Sequence, residues 1–260
     1  MPSAERSIKS PAMKMTLIRM AAVASFLFFP ASNSIAQTYT PPRTPSGDPD
    51  LQGIWQVRNT ANWDLQHHSS SYKTPAGLGV VVDPPDGSIP YQPWAAEKKK
   101  QNFATRATTD PLEKCYLAGV PRTMYLPYPL QIIQSPEEVM IFSEYVHTVR
   151  WIPLKKIDRY PGYESWMGDP RAHWEGTTLV VETIGFNDQT WFDYAGNFHS
   201  DALKTTERFT RTAPDVITYE VILEDPKVFT RPWTIRMPIY LHRDRTEILE
   251  NECYIYAQER

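Results

Sequence analysis

The sequence predicts an all-β protein built as one antiparallel β-barrel. Three observations support this fold class. From residue 130 onward, short runs rich in Val, Ile, Thr and aromatic residues recur between turn residues, without helical periodicity. Proline is frequent (24 residues) and glycine is not (11 residues), which argues against long helices. A length of 260 residues is ordinary for a single barrel domain.

The first 36 residues have the pattern of a secretory signal peptide preceded by a short upstream extension. A basic start is followed by an apolar run over residues 20–29, then Pro30, and small residues at Ser34 and Ala36. This order predicts cleavage after Ala36, and the apolar run is too short to span a bilayer. The alternative is a buried N-terminal helix. We therefore expect an exported protein, periplasmic or extracellular, without a membrane span.

Export changes the interpretation of the two cysteines, Cys115 and Cys253. They lie far apart in a spacing that matches no metal motif, and an oxidising compartment favours a disulfide between them. The alternative is a pair of buried free thiols.

The elements follow in order along the mature chain. Residues 37–50 are a proline-rich, extended lead-in, and residues 51–260 form the single barrel domain. Residues 58–128 have little periodicity and one possible helix, 93–103, so they form a long N-terminal excursion of the lid or binding-loop type. The predicted strands are 51–57, 130–134, 139–145, 147–154, 178–185, 203–211, 216–224, 234–241 and 248–256.

The alternation of side chains along a strand predicts which of them enter the barrel. On strand 203–211, Phe209 shares a face with Glu207, so the carboxylate is drawn inward. On strand 147–154, His147 shares a face with Trp151, which places His147 inside and Arg150 outside. His147 and Glu207 are therefore predicted as an acid and base in one cavity. The alternatives are a core histidine whose hydrogen bonds are satisfied, and a structural pair of Glu207 with an inward arginine.

The loop at residues 186–203 is the densest group of residues able to bind or react. Asp193 and His199 are predicted to join His147 and Glu207 as catalytic residues facing a single cavity. Loops over a rigid barrel often carry function, but this one could also be a stiff cap whose Asp and Asn side chains hold turns. The predicted substrate-binding residues are Trp151, Asn187, Asp188, Trp191, Tyr194 and Asp201.

Several classes of function are disfavoured. A net charge of −3 leaves no basic surplus for nucleic acid. Glycine-rich phosphate loops and the Gly-x-Ser-x-Gly motif do not occur in the sequence, so neither a cofactor nor a serine nucleophile is expected. His173, His199 and Asp201 could ligate a metal, but their spacing matches no strong motif, and no metal site is predicted.

Two resemblances extend this reading. Gly53 and Trp55, after an extended lead-in, are similar to the Gly-x-Trp opening of lipocalin-like (calycin) barrels, which implies that Trp55 plugs one end. The blocks Trp-Glu-Gly-x-Thr-Leu-Val-Val-x-Thr at 174–183 and His-Ser-Asp-Ala-Leu at 199–203 resemble an exported bacterial family known mainly as uncharacterised proteins. This second resemblance spans about residues 41–256 and departs at Thr177 and around residues 155–158. It implies the fold and the compartment, and it implies no reaction.

The leading functional expectation is a cofactor-independent lyase, dehydratase, cyclase or isomerase. It would act by proton transfer on a small apolar or aromatic molecule inside the barrel. The alternatives are a lipocalin-like carrier of a small hydrophobic ligand and a carbohydrate-binding protein. The sequence leaves the substrate and the oligomeric state open.

Overall fold

The computed structural model describes residues 39–71 and 73–253, which contain one antiparallel sheet curled into a nearly closed barrel. The predicted fold class is confirmed. The strands are β1 (Gly53–Val57), β2 (Val81–Asp83), β3 (Leu130–Gln134), β4 (Glu138–Ser143), β5 (Val149–Pro153), β6 (Asp169–Glu175), β7 (Thr178–Ile184), β8 (Lys204–Ala213), β9 (Val216–Glu224) and β10 (Trp233–Leu241). Helix α1 spans Pro93–Thr109, and 3₁₀ turns lie at Pro111–Lys114 and Arg122–Tyr125. Within the described part of the chain, no helix is long and apolar enough to cross a membrane.

The order of neighbouring strands leaves one opening in the wall of the barrel. The strand order is β5-β4-β3-β1-β10-β9-β8-β7-β6, with β2 added beside β10. Strands β5 and β6 stand at the two ends of this order and approach each other without pairing. We call this opening the seam.

Eight of the predicted strands form close to their predicted bounds, and the ninth does not. Residues 248–253 contain no strand, while 254–256 and the predicted signal peptide lie outside the described residues. Strands β2 and β6 were not predicted, because β2 is only three residues long and the polar and charged side chains of β6 hide the alternation. The lead-in is not extended, since Arg43 pairs with Pro49 and the chain turns back between them.

Side chains fill the interior of the barrel. The predicted inward face of β9 is confirmed, because Ile217, Tyr219, Val221 and Leu223 are all completely buried. Trp233 on β10 is completely buried as well. A ligand is therefore expected at an opening of the barrel rather than along its axis.

Two further predictions concern single residues. Trp55 is completely buried as expected, its indole N–H donates to the Leu51 carbonyl at 2.9 Å, and the Arg211 guanidinium lies 5.5 Å from its ring centre. The disulfide between Cys115 and Cys253 is confirmed, with 5.4 Å between the Cα atoms. It joins the N-terminal excursion to the C-terminal segment.

Candidate functional site

Glu207 lies inside the barrel as predicted, but its partner is Arg150 rather than His147. The Arg150 side chain is 2% exposed and Glu207 is completely buried. Arg150 Nη1 donates to Glu207 Oε1 at 2.8 Å, and Nη2 donates to Glu207 Oε2 and to Thr183 Oγ1 at 3.0 Å. The Tyr219 hydroxyl donates to Glu207 Oε1 at 2.7 Å. The alternative of a structural pair between Glu207 and an inward arginine is the arrangement observed.

The hydrogen bonds around Glu207 keep the Tyr219 hydroxyl protonated. Burial, together with the Glu207 carboxylate, raises the pKa of the Tyr219 hydroxyl well above its ordinary value, so Tyr219 remains a hydrogen-bond donor. Glu207 accepts from two residues and faces a guanidinium charge. Its carboxylate is therefore committed to the ion pair rather than open to a substrate.

The prediction that His147 faces the interior is wrong. His147 lies in the tight turn between β4 and β5, where both Val146 and His147 have positive φ, and its side chain is 49% exposed. Its Nδ1 atom lies 2.8 Å from Glu252 Oε1 at the surface. Strand alternation starts only at Val149, which points outward with Trp151, while Arg150 points inward. His147 and Glu207 therefore do not share a cavity.

His199 is buried, and both of its ring nitrogens are occupied. Nδ1 is 2.9 Å from the Ser200 carbonyl oxygen, which can only accept, so Nδ1 carries the proton. Nε2 then accepts from the Thr190 hydroxyl at 2.6 Å. Burial lowers the pKa of His199, which keeps the ring neutral. This geometry positions the loop and leaves no ring nitrogen free for a substrate.

Asp193 is completely buried and ties the β7–β8 loop to the N-terminal excursion. Its Oδ2 accepts from the Leu65 N–H at 2.8 Å and from Asn197 Nδ2 at 2.6 Å, while Oδ1 accepts from the Asn197 N–H at 3.2 Å. Burial and the nearby Asp64 carboxylate raise the pKa of Asp193 to about 7. Asp193 thus lies within the hydrogen-bonded base of the loop and shares no cavity with Glu207.

The other predicted binding residues divide among several surfaces. Asp188 and Trp191, with an edge of His199, line a cleft against helix α1. Tyr194 lies beneath the Arg106 guanidinium, and Asp201 is exposed in an ion pair with Lys227. Asn187 holds its own turn by accepting from the Gln189 N–H at 3.2 Å. Across residues 39–71 and 73–253, no group of three or more His, Cys, Asp or Glu side chains could hold a metal ion.

The remaining predicted binding residue, Trp151, lies in a cleft of about 530 Å³ at the seam. This seam cleft is bounded by β5, by the start of β6 and by the segment that connects them. Trp151 is 45% exposed, and Tyr160 and Tyr163 are 81% and 54% exposed. Val149, Ile157 and Trp166 line the same cleft. Such a concentration of exposed apolar side chains in a concave site is typical of ligand binding.

Arg150 gives the seam cleft a polar group at its base. It lines the cleft, and its Nε–H has no hydrogen-bond partner among the described residues although the atom is buried. Charges at the rim balance, because Arg159 and Arg171 both form ion pairs with Asp169 and Asp158 adds a second carboxylate to the cleft lining. The cleft therefore combines aromatic walls with little net charge, and the Arg150 Nε–H is an unpartnered donor buried behind them.

Of the residues that line the seam cleft, the sequence prediction named Trp151 and missed the others, Arg150 above all. Alternation groups Arg150 with Ile152, which is completely buried, and an inward Glu207 requires a cationic partner. Together, these two facts could have predicted that Arg150 points inward and pairs with Glu207. The apolar character of Val149 and Trp151 concealed it, because these side chains face the seam cleft instead of the core.

The chain matches no family model and no curated protein. The resemblance to an exported bacterial family therefore stays a prediction.

Proposed function

We propose that this protein binds a small, flat, apolar or aromatic molecule in the seam cleft, as a carrier or ligand-binding protein outside the cytoplasm. The ligand is uncharged and carries a hydrogen-bond acceptor such as a carbonyl oxygen. One observation carries the proposal, namely the cleft lined by exposed aromatic side chains, with the unpartnered Arg150 Nε–H buried directly behind its wall. An unpaired buried donor costs free energy, and a ligand acceptor would remove that cost.

Binding is better supported than the acid–base enzyme. General acid–base catalysis needs two titratable groups within reach of one ligand. Glu207 is committed to Arg150, both nitrogens of His199 are bonded, and His147 lies at the surface. A binding protein needs only the shape, the aromatic walls and the donor.

The extracytoplasmic location rests on two features. The N-terminal sequence has the pattern of a secretory signal, and the disulfide between Cys115 and Cys253 suits an oxidising compartment.

The test compares two ligands of the same shape, 2-acetylnaphthalene and 2-ethylnaphthalene, by equilibrium dialysis. Only the first offers an acceptor to Arg150, and we expect it to bind roughly 10- to 100-fold tighter, the value of one hydrogen bond from a charged donor. Arg150→Lys keeps a positive charge beside Glu207 but removes the Nε–H, so it should abolish this preference.

Two tryptophan variants locate the binding. Trp151→Ala should weaken both ligands by about 10-fold through the lost stacking surface. Trp94→Ala, a similarly exposed tryptophan on helix α1, should leave both affinities unchanged. If neither naphthalene binds, or if Trp94→Ala weakens binding as much as Trp151→Ala, the proposed function is wrong.

A further inference from the structure

A second cleft, of about 480 Å³, lies between helix α1 and the β7–β8 loop. Helix α1 starts with Pro93 at its first position, continues through helix-forming Ala, Glu, Lys and Gln residues, and ends before Pro111. Asn102 fixes it to the loop by donating to the Gly196 carbonyl at 3.2 Å. We call the space between them the helix cleft.

The helix side of this cleft is polar where packing would call for apolar side chains. Three polar residues follow Trp94 at helical spacing and line the cleft with it, namely Lys98, Gln101 and Thr105. A helix that packs tightly on a protein body normally presents an apolar stripe. This polar face leaves a space between helix and loop that suits a hydrophilic ligand.

The cleft also carries aromatic surfaces. Trp94 is 55% exposed and meets Phe198 edge-on at 6.0 Å between ring centres, so much of its ring face stays open. Trp191 is half-buried on the loop side of the cleft. A ligand here would meet aromatic rings beside hydrogen-bonding groups.

The charges in the helix cleft balance. Among its described lining residues, Lys98 is positive, Asp188 is negative, and His199 has both nitrogens bonded within the protein. The chemical class that combines an apolar C–H face with many hydroxyl groups, and carries no charge, is a neutral saccharide. Aromatic rings stack on its C–H face, while amide, ammonium and carboxylate groups bond its hydroxyls.

We propose that the helix cleft is a binding site for a neutral saccharide ring stacked on Trp94, with Lys98, Gln101 and Asp188 bonding its hydroxyl groups. This site is separate from the seam cleft and does not rest on the proposed function. A protein outside the cytoplasm could then hold an aromatic molecule and a saccharide independently.

Saturation-transfer NMR on the whole protein tests this site with methyl β-glucoside, methyl β-galactoside, methyl α-mannoside, cellobiose and maltose. We expect at least one of them to bind with a Kd below about 10 mM. Trp94→Ala should weaken that binding at least ~10-fold, and Gln101→Ala should weaken it by a smaller factor.

The two tryptophan variants serve as crossed controls. Trp151→Ala should keep full saccharide affinity, just as Trp94→Ala should keep full affinity for the naphthalenes. The inference is overturned if none of the five saccharides gives a saturation-transfer signal at about 10 mM ligand, the upper limit of the expected Kd, or if Trp94→Ala binds as well as the unmodified protein. Loss of saccharide binding in Trp151→Ala would also overturn it. None of these results bears on naphthalene binding, so the two proposals fail separately.

Discussion

Replacing Arg150 by Met should destabilise the fold strongly, because it leaves the Glu207 carboxylate buried without its cation. Glu207 would keep only the Tyr219 hydroxyl at 2.7 Å as a donor. Removing one member of a buried ion pair costs about 3–5 kcal/mol. For a protein of this size that corresponds to a decrease of roughly 6–20 °C in Tm. Glu207→Met should cost a similar amount, since it leaves the Arg150 guanidinium buried without its carboxylate.

The double variant Arg150→Met/Glu207→Met separates this mechanism from general damage to the core. It removes both charges and fills the space with apolar side chains of similar volume, a change that is often neutral or stabilising. Tyr219 loses its acceptor in that variant, at a cost of about 1 kcal/mol. The unfolding free energies should therefore give a coupling energy of at least about 3 kcal/mol.

Urea unfolding followed by circular dichroism at pH 7 measures these energies. The matched control is Arg236→Met, which breaks the cross-strand ion pair with Glu220 on the outer face of the barrel. That exposed pair should be worth less than about 1 kcal/mol. A cost below about 1 kcal/mol for Arg150→Met would contradict a buried ion pair between Arg150 and Glu207. So would a double variant whose loss of stability equals the sum of the two single losses.

Three further outcomes follow from the structure. Trp55→Ala should lower the free energy of unfolding by about 3–5 kcal/mol, and a loss below about 1 kcal/mol in urea unfolding would contradict its place in the core. Replacing Cys115 and Cys253 together by Ser should lower the free energy of unfolding by about 2–5 kcal/mol. Mass spectrometry of the unmodified protein after alkylation should find no alkylated cysteine, and two alkylated cysteines would show that the bridge is absent. Burial and the nearby Asp64 raise the pKa of Asp193 to about 7, from 3.8. Folding therefore takes up a proton, and the free energy of unfolding should fall by roughly 2–4 kcal/mol as the pH rises from about 4 to 7. Asp193→Asn should reduce this dependence of the unfolding free energy on pH. If the dependence is unchanged in the variant, other titrating groups cause it.

Much of the fold could be predicted because its strands alternate cleanly. On β9 every second residue is apolar, and the register with β8 and β10 then follows from hairpin connections. The same rule fails on β5, where outward Val149 and Trp151 line a cleft and inward Arg150 forms an ion pair. Apolar side chains at a binding surface resemble core residues in sequence, so alternation alone assigns them to the wrong face.

The candidate sites could be predicted only in part. The sequence singled out Trp151, Asp188 and Trp191, which line two clefts. It could not separate the clefts, because each depends on contacts distant along the chain: helix α1 covers one, and the meeting of β5 and β6 forms the other. His147 was misplaced for a local reason, since a turn with two consecutive positive φ angles interrupts the alternation that its neighbours follow.

The open seam is a property of the two edge strands themselves. Each carries a proline, Pro153 in β5 and Pro170 in β6, and proline lacks the N–H that a further strand pairing would use. β5 also turns a charged side chain, Arg150, inward at the edge. Prolines and inward charges are devices by which natural sheets prevent the addition of another strand. The seam therefore neither closes into a complete barrel nor suits an extended peptide as its ligand. What remains is an opening with aromatic walls and a single buried donor, and a small molecule fits that description.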